Sequence, residues 1–367
     1  MSIYSKLERF FEACTAFFWR MFIYIHELKN IWSKRALVKS YVPTSEQAEE
    51  ARVYWKGLTG RRWPLWWHRL YAGYTGTWDP RYIPEMLFSV WLEPRASRRC
   101  DRDALGDKNN LVLFTGGGFR MPDEYARSSN GLISRNGVLL SMPEAIEELG
   151  NIGPCVIKKT RGTSSGRDVA VANFRDGKDA ATGKTIERCV NAMGADWIGQ
   201  ERVRQHESIA AIYPGCVNTM RIVTYMTPDG IEAAPVTLRV GQGGSLVDNA
   251  HAGGMFVHVH EDGTLGAEAF TEYQKRYGGH PDTGIVFKDH RIAGVAEALE
   301  AAKRSHLAVG EFGFVSWDIC IDSEGMPTLI EVNLTSQTVW FPQMASGQSI
   351  FGDDTPAVVR AYLHHVA

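Results

Sequence analysis

A chain of 367 residues has room for two or three domains of ordinary size and for a sizeable core. Hydrophobic residues make up 44% and charged residues 22%, which excludes wholesale disorder, a collagen-like repeat and a multi-span membrane protein. Lys plus Arg is 40 against 42 Asp plus Glu, a net charge of -2, so no global basic field holds nucleic acid or anionic lipid and any anionic ligand needs a local site.

The chain begins with an aromatic stretch, Phe10 to Ile25, in which Phe, Trp, Met and Ile crowd an expected helix. Its longest charge-free run is Ala13 to Trp19, far short of the roughly 20 apolar residues that cross a bilayer. Arg9, Glu12 and Arg20 interrupt it and no small-residue cleavage site follows, so the expectation is a chain that is not secreted. Phe10, Phe11, Phe17, Phe18, Trp19 and Phe22, with Arg9, Arg20 and Lys29 nearby, either lie at a membrane surface or pack on another domain or a second subunit. Burial against protein is the commoner fate of such a stripe. Six cysteines (Cys14, Cys100, Cys155, Cys189, Cys216, Cys320) form no C-x-x-C pair, which excludes a readable zinc knuckle or dithiol and suits reduced thiols in the cytoplasm.

Residues 40 to 100 read as helices rich in Trp and Tyr, broken at Pro64, Pro80 and Pro94. The run Trp63-Pro64-Leu65-Trp66-Trp67-His68-Arg69 is assigned to core packing rather than to base stacking, because no basic funnel accompanies it. Beyond residue 100 strand and helix signals alternate. Ser141 with Glu144 forms a capping box, with Pro143 in the first turn, so a helix runs from there to Gly150. Strands follow at Cys155 to Lys159, Asn218 to Met226, Ile231 to Val240, Met255 to His260, Phe314 to Ile321 and Thr328 to Asn333. Ile292 to His306 reads as an amphipathic helix. The layout is mixed and mainly antiparallel α+β.

Two segments carry chemistry. If the hairpin turn centres on Glu324 and Gly325, Asp318 stands directly opposite Glu331, and Asn333 shares their face because strand side chains alternate with period two. Carboxylates facing each other about 5 Å apart repel, so a cation belongs between them, and a partial set of hard oxygen donors is how Mg²⁺ is held beside phosphates. The second segment is a strand ending in Lys158-Lys159 that opens into Thr160-Arg161-Gly162-Thr163-Ser164-Ser165-Gly166. Backbone amides of small residues beside a lysine make a concave anion site, although the order of a Walker A loop is absent.

In this order the elements resemble the ATP-grasp superfamily and, more narrowly, the ATP-grasp family found beside sugar-transfer and polysaccharide genes, over roughly residues 60 to 350. Asp107-Lys108-Asn109 resembles the first phosphate lysine of that family, and Lys158 with Ser164 and Ser165 resembles the second lysine and its loop. Gln200-Glu201-Arg202-Val203 is similar to the hinge that reads adenine, with Glu207 as a ribose ligand. Asn218-Thr219-Met220-Arg221, Leu238-Arg239-Val240 and Asp248-Asn249-Ala250-His251-Ala252-Gly253-Gly254 resemble the central block, and Asp318, Glu331 and Asn333 the metal triad, spaced as in D-alanine:D-alanine ligase. Two departures stand out: Lys159 where Pro is usual, which leaves either Lys158 or Lys159 to meet phosphate, and Asp168 where a Gly is usual, an anion that Arg161 or Arg167 would neutralise.

The resemblance implies an α+β ATP-grasp fold with a helical, aromatic-rich N-terminal region (1–100), a lysine-bearing subdomain (101–203) and a metal-bearing subdomain (204–367). It implies ATP and Mg²⁺ as cofactors and a carboxylate-amine ligase that makes an acyl phosphate on a small carboxylic acid, a sugar acid or amino acid, before an amine displaces phosphate. Arg239, or failing it Arg221, would stabilise the developing charge, and Asn249, His251 and the Gly253-Gly254 backbone would position the acceptor. A small-molecule kinase on the same fold, or a silent nucleotide-binding scaffold, shares the ATP residues. His206 and His280 are assigned to turns.

Overall fold

The computed structural model describes residues 3–97, 102, 104–162, 168–310 and 312–364. They fall into two units, one of Met1–Arg98, Thr227–Asp229 and Ser336–Ala367, the other of Arg99–Met226 and Gly230–Thr335.

The first unit is helical. It contains α1 (Ile3–Ser33), α2 (Arg35–Ser40), α3 (Ser45–Thr59) and α4 (Trp66–Thr75), followed by an irregular helix over residues 85–96 whose middle, Phe88–Leu92, widens to a π-turn. Trp55 and Trp67 are buried, and the Trp55 indole N–H donates to His68 Nε2 (3.1 Å). Burial pushes the His68 imidazole down to about 4, so it stays neutral as that acceptor. The assignment of this aromatic run to a core holds for Trp67 and His68, while Trp66 is exposed. Residues 336–367, which the sequence groups with 204–335, belong instead with the helices. The reason is a set of buried hydrogen bonds: the Gln343 carboxamide exchanges two with the Ile83 backbone (2.8 and 3.2 Å), and Glu93 and Glu85 accept from the amides of Gln337 and Val339.

The second unit is built on two antiparallel sheets, which the expected boundary at 203 separates. The first contains β1 (Glu124–Ser129), β2 (Leu132–Arg135), β3 (Val138–Leu140), β4 (Pro154–Lys159), β5 (Val169–Arg175), β6 (Lys178–Asp179) and β7 (Trp197–Glu201), in the order β3-β2-β1-β7-β4-β5-β6. The predicted capping box is present, and its helix, Met142–Gly150, buries Ala145 and Leu149 against this sheet's core. The second sheet contains β8 (Thr219–Thr227), β9 (Gly230–Ala233), β10 (Val236–Val240), β11 (Met255–Val259), β12 (Leu265–Phe270), β13 (Arg276–Tyr277), β14 (Phe314–Ile321) and β15 (Pro327–Asn333), in the order β13-β12-β11-β10-β8-β14-β15 with β9 beside β8. The single strand expected over 231–240 is two strands, parted at Pro235, which has no amide hydrogen for a ladder.

Period-two alternation divides the second sheet into a greasy face and a polar one. Met220, Ile222, Leu238, Val257, Trp317 and Ile319 join one core with Val295, Ala298, Ala301 and Ala302 of the helix Val295–Val309. Thr219, Arg221, Arg239, Ser316 and Asp318 lie on the opposite face. The 3₁₀ turn Lys108–Gly117 is held to the same helix through Gly117, where a Cβ would stand 2.2 Å from Ser305 Oγ and 2.4 Å from the Ala301 carbonyl. Only glycine permits that approach, and it fixes the turn whose first residue is Lys108.

Trp317 is the largest anchor of this core: it packs on Phe114 and Phe119 and its indole N–H donates to Thr224 Oγ1 (2.8 Å). Trp317→Ala is expected to cost about 3–5 kcal/mol in denaturant unfolding; a loss under about 1 kcal/mol would show that this core does not carry the unit.

Candidate active site

On β14 and β15 the hairpin register pairs Asp318 with Glu331 and Ser316 with Asn333, so the three expected oxygen donors share one face. The route to that pairing differs from the symmetric turn assumed from the sequence. Ile321, Cys320 and Ile319 pair with Pro327, Thr328 and Leu329, a register that would set Asp318 against Ile330; a bulge at Ile330 shifts it by one. A bulged residue drops out of the ladder. The freed Ile330 carbonyl accepts from Lys158 Nζ at 3.3 Å, so one irregularity aligns the carboxylates and supplies the lysine with an oxygen.

The cation that two facing carboxylates require is supplied by the protein. Arg221, opposite Asp318 on β8, grips it with Nε and Nη2 (2.6 and 3.1 Å), and Arg239 of β10 adds Nη2 at 3.3 Å. Burial alone would push the Asp318 carboxyl up, but the two guanidiniums outweigh it and hold it below its ordinary value. Arg239 also bonds Thr219 Oγ1 (2.8 and 3.1 Å) and both oxygens of Asp248 (3.3 Å each). Burial would lower its pKa, and the carboxylates of Asp248, Asp318 and Glu331 override that and raise it. Asp248 receives the Thr219 amide and hydroxyl (3.0 and 2.5 Å) and is pushed up by burial. It stands in a segment singled out from the sequence, yet its own role was missed; nothing in the spacing links it to Arg239.

Glu331 pairs with Lys108 Nζ at 2.8 Å. Lys158 is buried beside them, and burial, then the Lys108 charge, lower its ammonium to about 8 despite Glu331. Lys158 shares its face with Val156, Ile198 and Gln200, because Lys158 pairs with Ile198 and Val156 with Gln200 on β4 and β7, while Cys155, Ile157 and Trp197 point to the core. Gln200 Nε2 and Thr160 Oγ1 are buried without a hydrogen-bond partner among the described residues, a costly state that ligand polar atoms relieve.

The remaining expected residues are less tightly drawn in. Glu201 ends β7 and its carboxylate accepts from the Asp123 amide (3.3 Å). Val203 lies in the following loop, half-buried, and Glu207 is exposed at the start of the short helix Glu207–Ala210. Asn249 caps the turn Ala250–Ala252 by accepting from the His251 amide (2.8 Å). His251 Nδ1 lies 2.7 Å from the buried carboxylate of Glu272, a partner that no sequence signal indicated. Ser164 and Ser165, with Arg167, lie outside the described residues. His206 and His280 serve turns: His206 Nδ1 accepts from the Ser208 amide, and His280 Nδ1 from that of Asp282. The two departures meet each other, Lys159 Nζ standing 3.4 Å from Asp168, whose φ of 60° is the left-handed conformation that glycine adopts freely. Arg161 is taken by Asp107 instead.

Two lysines and two arginines thus converge on facing carboxylates, drawn from two antiparallel sheets and the turn at Lys108. The chain belongs to the sugar-transfer-associated ATP-grasp family, whose model matches residues 87–357. Among solved structures it is similar to a D-Ala:D-Ser ligase, VanG, from Enterococcus faecalis (15% identity, TM-score 0.39, 70% of this chain and 60% of that one). It is also similar to the ATP-grasp ligase PsnB complexed with a minimal precursor, Mg and ADP (14% identity, TM-score 0.41, 72% of this chain and 61% of that one). A third is an N5-carboxyaminoimidazole synthetase from Staphylococcus aureus complexed with ADP (12%, 0.41, 70% and 52%). The chain thus spans roughly half to three fifths of the length of these relatives. No curated protein gives a significant match.

A lysine held near 8 and buried without a full counter-charge destabilises the free protein. Between pH 8 and the unfolded value the folded chain binds fewer protons than the unfolded one, so this group's contribution to stability rises with pH across that window. Lys158→Met should therefore stabilise the free chain at pH 7, by about 3 kcal/mol at most, and flatten that slope, as read by denaturant unfolding at pH 7 and 9.5. Destabilisation at pH 7 would mean that Lys158 serves the fold.

Proposed function

We propose that this protein is an ATP- and Mg²⁺-dependent carboxylate-amine ligase that works through an acyl phosphate. The observation that carries the proposal is the convergence of Lys108, Lys158, Arg221 and Arg239 on the facing pair Asp318 and Glu331. Four cations drawn to one face beside the buried Lys158, whose ammonium is held down to about 8 by burial and the Lys108 charge, suit a polyanion.

In this proposal Lys158 and Lys108 neutralise the triphosphate, and the apolar side chains Val156 and Ile198, with Gln200, line the adenine slot against the hinge at Glu201 and Val203. Glu207 reaches the ribose. The donor types present fit a hard divalent cation: two carboxylates and a carboxamide on one face are an all-oxygen set, in which Asp318, held by Arg221, Arg239 and the Asn333 amide (3.5 Å), would exchange one of these donors for the metal. Asp318, Glu331 and Asn333 would hold Mg²⁺, which would supply charge neutralisation for the triphosphate.

The acceptor carboxylate attacks the γ-phosphorus, the bond to the bridging oxygen breaks, and ADP leaves. An amine then adds to the acyl carbon, and inorganic phosphate departs with the bonding pair. Arg239 and Arg221, each fixed by Asp318, present guanidinium charge to the tetrahedral oxyanion, a role typically worth about 3 kcal/mol. Asn249 and the Gly253-Gly254 backbone position the acceptor. His251, its Nδ1 held by the Glu272 carboxylate, positions the acceptor with them. The family's association with sugar transfer favours a sugar acid or amino acid as the carboxylate, in polysaccharide or secondary metabolism.

The test is ATP turnover with hydroxylamine over a panel of sugar acids and amino acids. ADP formation with a hydroxamate, dependent on one added acid, is expected. Glu331→Ala should lower that turnover by on the order of 100-fold or more with an unchanged circular dichroism spectrum. ADP without hydroxamate or free phosphate, and with a phosphorylated acceptor, would overturn ligation in favour of a kinase.

A further inference from the structure

The net charge of -2 hides a partition. The helical unit carries 16 Lys and Arg against 12 Asp and Glu, and the grasp unit 24 against 30. Within the first 40 residues the count is seven basic to three acidic. The same stretch carries α1, whose aromatic side chains the helical unit leaves uncovered: Phe10, Phe11, Phe17, Phe18 and Phe22 are 58–69% exposed, and Trp32 69%.

Helical geometry gives this exposure a direction. At 100° per residue, Tyr4, Leu7, Phe10, Phe11, Cys14, Phe17, Phe18, Met21, Phe22 and Ile25 fall within one arc of about 140°, and that arc meets no charged residue before Lys29. The opposite side packs on the unit at the C-terminal end of the helix. Glu27, Ile31 and Lys34 are buried there, and the contacts of α1 run to α2 and to the helical residues 85–92. At roughly 150–250 Å² for a whole aromatic side chain, the uncovered share comes to on the order of 1,000 Å², beyond the roughly 300–600 Å² of the largest patch on a typical monomer.

Area alone would also serve a helix pair between two copies, and charge decides between the two occupants. Tyr4, Leu7, Phe11, Cys14, Phe18, Met21, Ile25, Leu28 and Trp32 follow a heptad seam, but its flanks are Phe10, Phe17, Tyr24 and Ile31 on one side and Glu8, Thr15, Phe22 and Lys29 on the other. They lack the complementary charges that set partner and register. A second copy would also bring one basic unit against another. An anionic surface meets the apolar arc with the exposed cations Lys29, Arg35 and Lys39 at its end, and Tyr4 and Tyr24 near the edges of the arc suit a lipid headgroup boundary. No helix among the described residues is long and apolar enough to cross a membrane.

We propose that α1 lies in the plane of an anionic lipid surface, its aromatic arc inserted and its opposite side holding the helical unit. The test is sedimentation of the full chain with phosphatidylcholine vesicles and with vesicles containing 30% phosphatidylglycerol, in low and high salt. Binding at least tenfold tighter to the anionic vesicles, weakened by salt, is expected. Phe18→Glu with Phe22→Glu, at exposed positions, should abolish it, while Lys29→Glu, Arg35→Glu and Lys39→Glu together should remove the preference for anionic lipid. ATP turnover of these variants without vesicles should stay at the wild-type level, which separates this proposal from the ligase assignment. Failure to bind either vesicle would overturn the proposal. So would a dimer by light scattering that the Phe18 and Phe22 substitutions dissolve, since that outcome gives the arc to a second copy.

Discussion

Asp318 is 2% exposed, and a carboxylate so far from water survives ionised only where cations surround it. Arg221 and Arg239 do so from the two preceding strands in the sheet, and Asp248 in turn holds Arg239. The rest of the site inherits its geometry from this cluster. The order β10-β8-β14-β15 puts two arginines and two carboxylates in adjacent columns of one face. Removing one partner from such a cluster strands a buried charge, so these residues stand or fall together.

The same arrangement leaves a deliberate imbalance at its edge. Lys158 is buried beside a second lysine with the Ile330 carbonyl as a hydrogen-bond partner, and burial first and the Lys108 charge second make it a weaker base. Together with the buried Gln200 amide and Thr160 hydroxyl, which have no hydrogen-bond partner among the described residues, this is a locally unfavourable arrangement of the free protein, of the kind that binding an anion relieves. The Ile330 bulge is where the two sheets' contributions meet, because the backbone oxygen it frees is the one Lys158 finds.

Period-two alternation and turn chemistry are local, and they made much of this legible in the sequence: the capping box at Ser141, the hairpin at 314–333 and the pairing of Asp318 with Glu331. The pairing was reached by assuming a symmetric turn, whereas a bulge produces it, and a one-residue irregularity leaves no pattern in Leu329-Ile330-Glu331. Long-range partners were not legible. Asp248 with Arg239, Glu272 with His251 and Lys159 with Asp168 are joined across irregular loops, whose course no period-two or turn rule gives. The grouping of residues 336–367 with the helices rests on carboxamide and carboxylate bonds to residues some 250 positions away, equally silent in a window of sequence. The charge partition was present in the sequence throughout, but the summed value of -2 concealed it.

The central claim is that the facing carboxylates on β14 and β15 bind nucleotide through a divalent cation, next to lysines poised for phosphate. Calorimetric titration of ATP into the wild-type chain and into Glu331→Gln, each with Mg²⁺ and with EDTA, tests it most directly. Mg²⁺ is expected to tighten binding to the wild type by about tenfold or more, and Glu331→Gln to remove most of that gain. Equal affinity with and without the metal, or an undiminished gain in Glu331→Gln, would contradict it.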